Sequence, residues 1–263
     1  MGTSQSKPSA RGGSPLVPSW AEQDPTPQTG QTPQQQPAGQ QATLEARRNA
    51  GFRRSLKQYL KTGDDRYARR ALGYFARGSM GGGSAAGQRL ARAARVGGDA
   101  ISALASASGG QAPAAGGLDL RTLTGKSVSE AISNIVDAFC PSGILDEDAI
   151  RAAMSEALAE TLSGLDTFDP TMIDDHAIVL ATCSFIAELV FLAVTAEQGQ
   201  AASDTPPQQA IVRENHIRDI IREITDVQAT PAIQAVGPQM TSGQIEGLVK
   251  KIAVSVYEEM ATW

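Results

Sequence analysis

Ala177-Ile178-Val179-Leu180-Ala181-Thr182-Cys183-Ser184-Phe185-Ile186-Ala187-Glu188-Leu189-Val190-Phe191-Leu192-Ala193-Val194-Thr195-Ala196 is the most apolar stretch of this 263-residue chain. As a helix it is long enough to cross a bilayer. Two features turn the reading toward the buried central helix of a packed protein. Glu188 stands at its middle, and Asp174, Asp175 and Glu197 flank it with no Lys or Arg to mark a cytoplasmic side. The expectation is a core helix and no membrane span. A carboxylate in such a helix needs a cation or an exposed edge, and Arg151, Arg213 and Arg218 are the candidate partners.

The segments on either side also read as helices. Ser127 to Phe139 places Val128, Ala131, Ile132, Ile135, Val136 and Phe139 on one face and stops at Pro141. Asp146 caps the next helix, to Leu165, and Asp169-Pro170 opens a cap and first turn that lead into the central run. Pro206 and Pro207 start a helix to Thr225 with Ile217, Ile220, Ile221 and Ile224 on its packing face. Ser242 caps a last helix to Trp263, whose indole is expected to tuck into the bundle. No segment shows strand alternation, and aromatics are only 5% of residues, which favours closely packed small-residue helices. The fold class is all-α.

Composition divides the chain into a tail at 1–42, a basic helical domain at 43–107, a Gly/Ala/Pro linker at 108–117 and an acidic helical bundle at 118–263. The basic part reads as a helix from about Thr43 to Thr62 ended by Gly63, a second from Asp65 to Arg77, and a third from Ser84 to Ala107 that Gly97-Gly98 is expected to interrupt. Gly81-Gly82-Gly83 lacks the following lysine of a phosphate loop and reads as a hinge. Residues 43–99 hold 13 basic and 4 acidic groups, whereas 100–263 hold 8 and 22, within a net charge of −5. Arg48, Arg53, Arg54, Arg69 and Arg70 form a candidate basic interaction surface, for the acidic half, an acidic protein or nucleic acid. Protein or internal pairing is favoured, because Phe52, Tyr59, Tyr67, Tyr74 and Phe75 fall at spacings that suit a buried helix face rather than a stacking platform.

Enzyme chemistry finds little support. Cys140 and Cys183 have no CxxC spacing and read as buried thiols of a reducing compartment. His176 precedes Cys183 by two helical turns, beyond direct contact, and His216 is the other histidine. No nucleophile, base and orienting group can be assembled, so the expectation is no catalytic residue, no metal site and no cofactor.

The tail carries the remaining signal. From Met1 to about Gln41 it is rich in Pro, Gln, Gly, Ser and Thr, too polar to bury a core. Methionine before a small residue is normally removed, leaving Gly2 as the terminus. A free α-amine with pKa about 7.7 to 8.0 has a neutral fraction roughly a few hundredfold above that of lysine, so Gly2 is the best acyl acceptor in the chain. A tail of about forty residues has an r.m.s. reach on the order of 35 Å, enough to deliver Gly2 into another protein's active site. Pro15-Leu16-Val17-Pro18-Ser19-Trp20 reads as a docking peptide in which the prolines stiffen a display of Leu16, Val17 and Trp20. Met1 to Ser6 also fits the N-myristoylation pattern, although Lys7 and Arg11 scarcely make the polybasic patch that a single acyl chain needs. With no apolar run at the N-terminus to suggest a secretory leader, the expected location is cytoplasmic.

Met1-Gly2-Thr3-Ser4, the block Gly13-Ser14-Pro15-Leu16-Val17-Pro18-Ser19-Trp20, and downstream Gly51-Phe52-Arg53-Arg54-Ser55-Leu56 with Arg66-Tyr67-Ala68-Arg69-Arg70-Ala71-Leu72-Gly73-Tyr74 together resemble the QatB proteins of bacterial Qat anti-phage systems. The resemblance covers the tail and the basic segment. It implies a non-enzymatic partner and protein substrate of the QueC-like enzyme QatC, alongside the Qat ATPase and a TatD-like nuclease. The QueC-like enzyme would join a 7-deazaguanine carboxyl group to the Gly2 amine, with Thr3 and Ser4 bonding near the acceptor and Pro15, Leu16, Val17, Pro18 and Trp20 gripped further out. The alternatives are a nucleic-acid-binding adaptor acting through the basic helices and an N-myristoylated membrane adaptor.

Overall fold

The structure, a computed structural model, describes residues 49–78, 81, 85, 87–88, 90–111, 117–140, 143, 147–236 and 241–263. Eight α-helices make up their regular structure: α1 (Ala50–Thr62), α2 (Asp65–Gly78), α3 (Ala91–Ser108), α4 (Val128–Phe139), α5 (Glu147–Thr161), α6 (Asp175–Ala196), α7 (Pro207–Val236) and α8 (Ser242–Ala261). The described residues contain no strand; one antiparallel bridge joins Ser127 to Thr167. The protein is all-α, as its periodicity predicts.

Helix α6 is the axis of the molecule. Asp174 caps it by accepting a hydrogen bond from the Ala177 N–H at 2.8 Å, and Asp175 places a second negative charge by the positive end of the helix dipole. Every residue from Ala181 to Phe191 is buried. A helix apolar on all sides must be covered on all sides, and α6 is packed by α3, α5, α7 and α8. As expected, Asp169 caps a short turn, the 3-10 turn Pro170–Met172, that leads into this helix. The helix itself begins at Asp175, two residues before the Ala177 that the apolar run suggests.

Three departures from the expected helices have physical causes. The Gly97-Gly98 pair does not interrupt α3. A Cβ on Gly97 would lie 2.2 Å from the Phe185 Cε1 atom, so the glycine permits α3 to approach α6 closely. Its weak helix propensity, about 1 kcal/mol against alanine, is outweighed by this packing. Helix α7 runs past Thr225 to Val236 with Pro231 inside it, because Ala229 and Ile233 extend the buried face set by Ile217, Ile220, Ile221 and Ile224. Finally, Thr241 rather than Ser242 caps α8, forming a capping box with Gln244. The Gly63 stop is as expected: at φ +72° it takes the left-handed conformation and donates its N–H to the Tyr59 carbonyl at 2.7 Å.

The helices before and after residues 108–117 share a core. Helix α3 lies along α8 and touches α6, and α2 also packs on α8. Phe52, Leu72 and Phe75 from the basic segment join Phe185, Val256 and Tyr257 in one hydrophobic cluster. Thr43, Asp146, Pro141 and most of the expected hinge at 81–83 fall outside the described residues.

Candidate functional site

Gly2, Thr3, Ser4, Pro15, Leu16, Val17, Pro18, Trp20 and Arg48 lie outside the described residues. Arg53, Arg54, Arg69 and Arg70 lie on α1 and α2, and the fold sends them in different directions. Arg53 turns inward to the end of α6, where its Nε donates to the Glu197 carbonyl at 3.0 Å and its guanidinium stands 3.9 Å from the Glu197 carboxylate. One turn on, Lys57 pairs with Asp204 at 2.6 Å, and on α3 Arg95 approaches Glu246 at 3.8 Å. Part of the basic segment thus binds the acidic half, one of the three roles the charge distribution suggests.

Arg54, Arg69 and Arg70 make no ion pair with the described residues. Instead, Arg54 and Arg70 border a concavity of about 240 Å³ between α1 and α2, lined also by Gly51, Gln58, Tyr67 and Tyr74. Arg70 donates to the Tyr74 hydroxyl at 3.3 Å, its guanidinium lies 5.6 Å from the Tyr74 ring, and Arg77 lies 5.4 Å from the same ring. The hydrogen bond from Arg70, then the positive charges of Arg70, Arg77 and Arg54, lowers the Tyr74 hydroxyl pKa below its ordinary value. Tyr74 packs against the core, as its spacing suggests, but keeps one side at the surface. It is half-buried beneath arginines, as is Tyr67 at the same rim. Phe52, Tyr59 and Phe75 are buried as expected. The signal was local: in Arg70-x-x-x-Tyr74-x-x-Arg77, helical neighbours at i,i+4 and i,i+3 put both cations over one ring.

Arg69 extends this face to the chain's last residue, its guanidinium 4.6 Å from the centre of the Trp263 ring. Trp263 is half-buried, and its backbone lies so close to α2 that a Cβ on Gly73 would come within 2.7 Å of its carbonyl carbon. The indole is docked, as expected, but on the basic hairpin. Tyr67, Tyr74, Trp263 and four arginines give this side of the molecule cationic groups together with π surfaces.

A second polar cluster lies inside. Glu188, 1% exposed, meets Arg222 at 3.1 Å and Arg218 at 3.4 Å. Arg222 also pairs with Glu160 at 3.0 Å, and Ser184 donates to that carboxylate at 2.7 Å. Of the partners expected for Glu188, Arg218 is correct, Arg151 instead pairs with Asp137, and Arg213 lies against the Tyr59 ring. Burial raises the Glu188 pKa above its ordinary value against the pull of both arginines, and its Oε2 accepts no hydrogen bond from the described residues. Cys140 and Cys183 are free and buried, which pushes their thiols up to about 11 and about 12. Neither is a thiolate at neutral pH, the form a nucleophile or metal ligand requires. Among the described residues no cluster of His, Cys, Asp and Glu could hold a metal ion.

Fold and surface together define an all-α protein whose first hairpin presents a basic, aromatic-lined face. A family model described as QatB, the Qat anti-phage system associated protein, matches residues 81–260, more than half of the chain. The chain belongs to the QatB family and is an anti-phage defence component whose partners are other Qat components. The match takes in α3 to α8 and leaves out the tail and the α1–α2 hairpin, the two places that carry the resemblance by motif. No curated protein and no solved structure matches.

Proposed function

We propose that this protein is a non-enzymatic, cytoplasmic substrate and partner of the QueC-like enzyme of its system, which acylates Gly2 with a 7-deazaguanine group. The enzyme would activate the deazaguanine acid as an acyl-adenylate; the neutral Gly2 amine would attack the acyl carbon, forming the amide, releasing AMP and giving up a proton to a base or water. Thr3 and Ser4 hydrogen-bond beside the acceptor, and Pro15, Leu16, Val17, Pro18 and Trp20 supply the grip. The observation that carries this reading is the tail itself. It places a terminal glycine amine at the end of a long polar tether attached to a body whose two thiols are buried and protonated. The helical body docks the partner while the tether reaches its active site.

The test is the mass of the N-terminal peptide from protein made with its neighbouring genes and from protein made alone. A deazaguanine-sized increment on Gly2 that requires the QueC-like gene is expected. An unmodified Gly2 in both samples overturns the reading, and a myristoyl increment replaces it with a lipidated adaptor. Gly2→Phe is expected to abolish modification and phage protection together.

The structure gives a second reading more weight than the sequence does. Tyr67 and Tyr74 are interleaved with Arg54 and Arg70 at the surface, the arrangement single-stranded nucleic acid uses. This reading requires salt-sensitive binding of an oligonucleotide by the protein alone, weakened by Arg54→Glu with Arg70→Glu. Arg53 is the wrong residue to reverse, because its partner is Glu197 of the same chain.

A further inference from the structure

A groove of about 710 Å³ opens on the side of the molecule where α3, α5 and α6 meet. Its floor is apolar, with Ile150 from α5 and Leu189, Leu192 and Ala193 from α6, and Arg92 and Arg95 of α3 stand on its wall. The volume falls in the range of sites that enclose a ligand. Glu197, just beyond α6, closes one end, and the same residue anchors the start of the described chain. The Asn49 side chain donates to its carboxylate and Arg53 to its carbonyl. Asn49, the first of the described residues, is therefore held at the rim of this groove.

What precedes Asn49 matches the groove in chemistry. Within residues 1–42 the large apolar side chains beyond Met1 are Leu16, Val17 and Trp20, and the only acidic ones are Glu22 and Asp24, directly after them. An apolar cluster followed by two carboxylates suits an apolar floor beside Arg92 and beside Arg95, which Glu246 of the same lining approaches at 3.8 Å. Arg92 makes no ion pair with the described residues, and the Arg95 side chain is 72% exposed. A coil of the length that separates Trp20 from Asn49 would have an r.m.s. reach of about 30 Å, and a tether of that length would supply an effective concentration on the order of millimolar. A contact too weak to hold a free peptide is then well populated.

We propose that residues 15–24 of this chain dock into the groove of their own body. Leu16, Val17 and Trp20 cover Ile150, Leu189, Leu192 and Ala193, and Glu22 and Asp24 pair with Arg92 and Arg95. A partner that grips the same tail must displace it, so the groove holds the tail back until the partner arrives. The contact requires no chemistry at Gly2 and stands or falls separately from the acylation reading.

The chain has two tryptophans, so full-length Trp263→Phe leaves Trp20 as its sole indole. Its emission is expected to be blue-shifted and shielded from acrylamide relative to a peptide of residues 13–24. Arg92→Glu with Arg95→Glu, at exposed positions, is expected to move both signals toward the peptide values with the far-UV circular dichroism unchanged, as is Leu16→Ser with Val17→Ser. Fluorine NMR of the wild-type chain labelled with 5-fluorotryptophan gives the same readout without altering residue 263. Peptide-like signals in the full-length protein overturn the proposal. So do signals that neither pair of substitutions moves, or a shift that grows with protein concentration, which would mark docking between copies.

Discussion

Arg218 and Arg222 reach across from α7 to a glutamate that is 1% exposed, while Arg54 and Arg70 stand on α1 and α2 with aromatic rings and no carboxylate among the described residues beside them. The residue types are the same and the physical situations opposite. Around Glu188 the carboxylate is 1% exposed while Arg218 and Arg222 keep side-chain exposures of 31% and 33%, so the carboxylate depends on the arginines and removing them leaves an unpaired ion in a poor solvent. Around Tyr74 the cations keep their hydration, and the ring adds little to stability. The inner cluster fixes how α6 meets α7. The outer one is free to serve a partner.

Breaking the inner cluster is expected to have the largest effect. Arg218→Ala with Arg222→Ala strands the Glu188 carboxylate and is expected to cost about 3–5 kcal/mol in urea unfolding near neutral pH. Adding Glu188→Gln to that variant is expected to restore much of the loss; no recovery would mean that the arginines matter through packing alone. The pH dependence has a definite sign. The folded-state pKa of Glu188 lies above its ordinary 4.5, so its contribution is fully present below that value and is lost as pH rises through the folded pKa. Asp226, also raised by burial, acts in the same direction, whereas Asp64 and Asp119, lowered by hydrogen bonds from Arg66 and Arg121, act oppositely as pH falls. Glu188→Gln is expected to flatten the decline on the higher-pH side and leave the acid limb unchanged.

The α3–α6 contact gives the next largest effect. Gly97→Ala forces the Phe185 ring to move and is expected to cost about 1–3 kcal/mol, although alanine is the better helix former. A stabilised Gly97→Ala protein would show that the two helices can separate freely. At the small end, Arg54→Glu with Arg70→Glu is expected to leave the unfolding midpoint unchanged while raising the Tyr74 hydroxyl pKa, followed by ultraviolet titration. A large fall in the midpoint would show that the outer cluster, too, is structural.

The sequence was most legible where a pattern is local. Apolar periodicity identified the packing face of α7 at Ile217, Ile220, Ile221 and Ile224, and the wholly apolar α6 announced its central place. Gly63 ended α1 because a left-handed residue there closes the helix. Reading failed where a distant partner decides the outcome. Gly97-Gly98 looks like a break until Phe185 is beside it, and α7 looks finished at Thr225 until Ala229 and Ile233 are seen buried. The outer side of Tyr74 was missed for another reason, because its signal, Arg70 and Arg77 on the same helix, was local. The candidate surface was half legible: Arg54, Arg69 and Arg70 were named, whereas Tyr67, Tyr74 and Trp263, read as interior, pack against the core while keeping one side at the surface.

By itself the sequence determined the helical class, the helix faces and the division of charge, because these follow from periodicities and compositions that a chain carries without reference to its own folding. Its tail also supplied the basis for the proposed Gly2 acceptor and docking peptide. The tertiary structure alone decided which arginines are spoken for and which remain available. Arg53 and Arg54 are adjacent in the chain, yet a helix turns successive residues by about 100°. That rotation, against a neighbour brought from more than a hundred residues away, gives one of them Glu197 and leaves the other facing water.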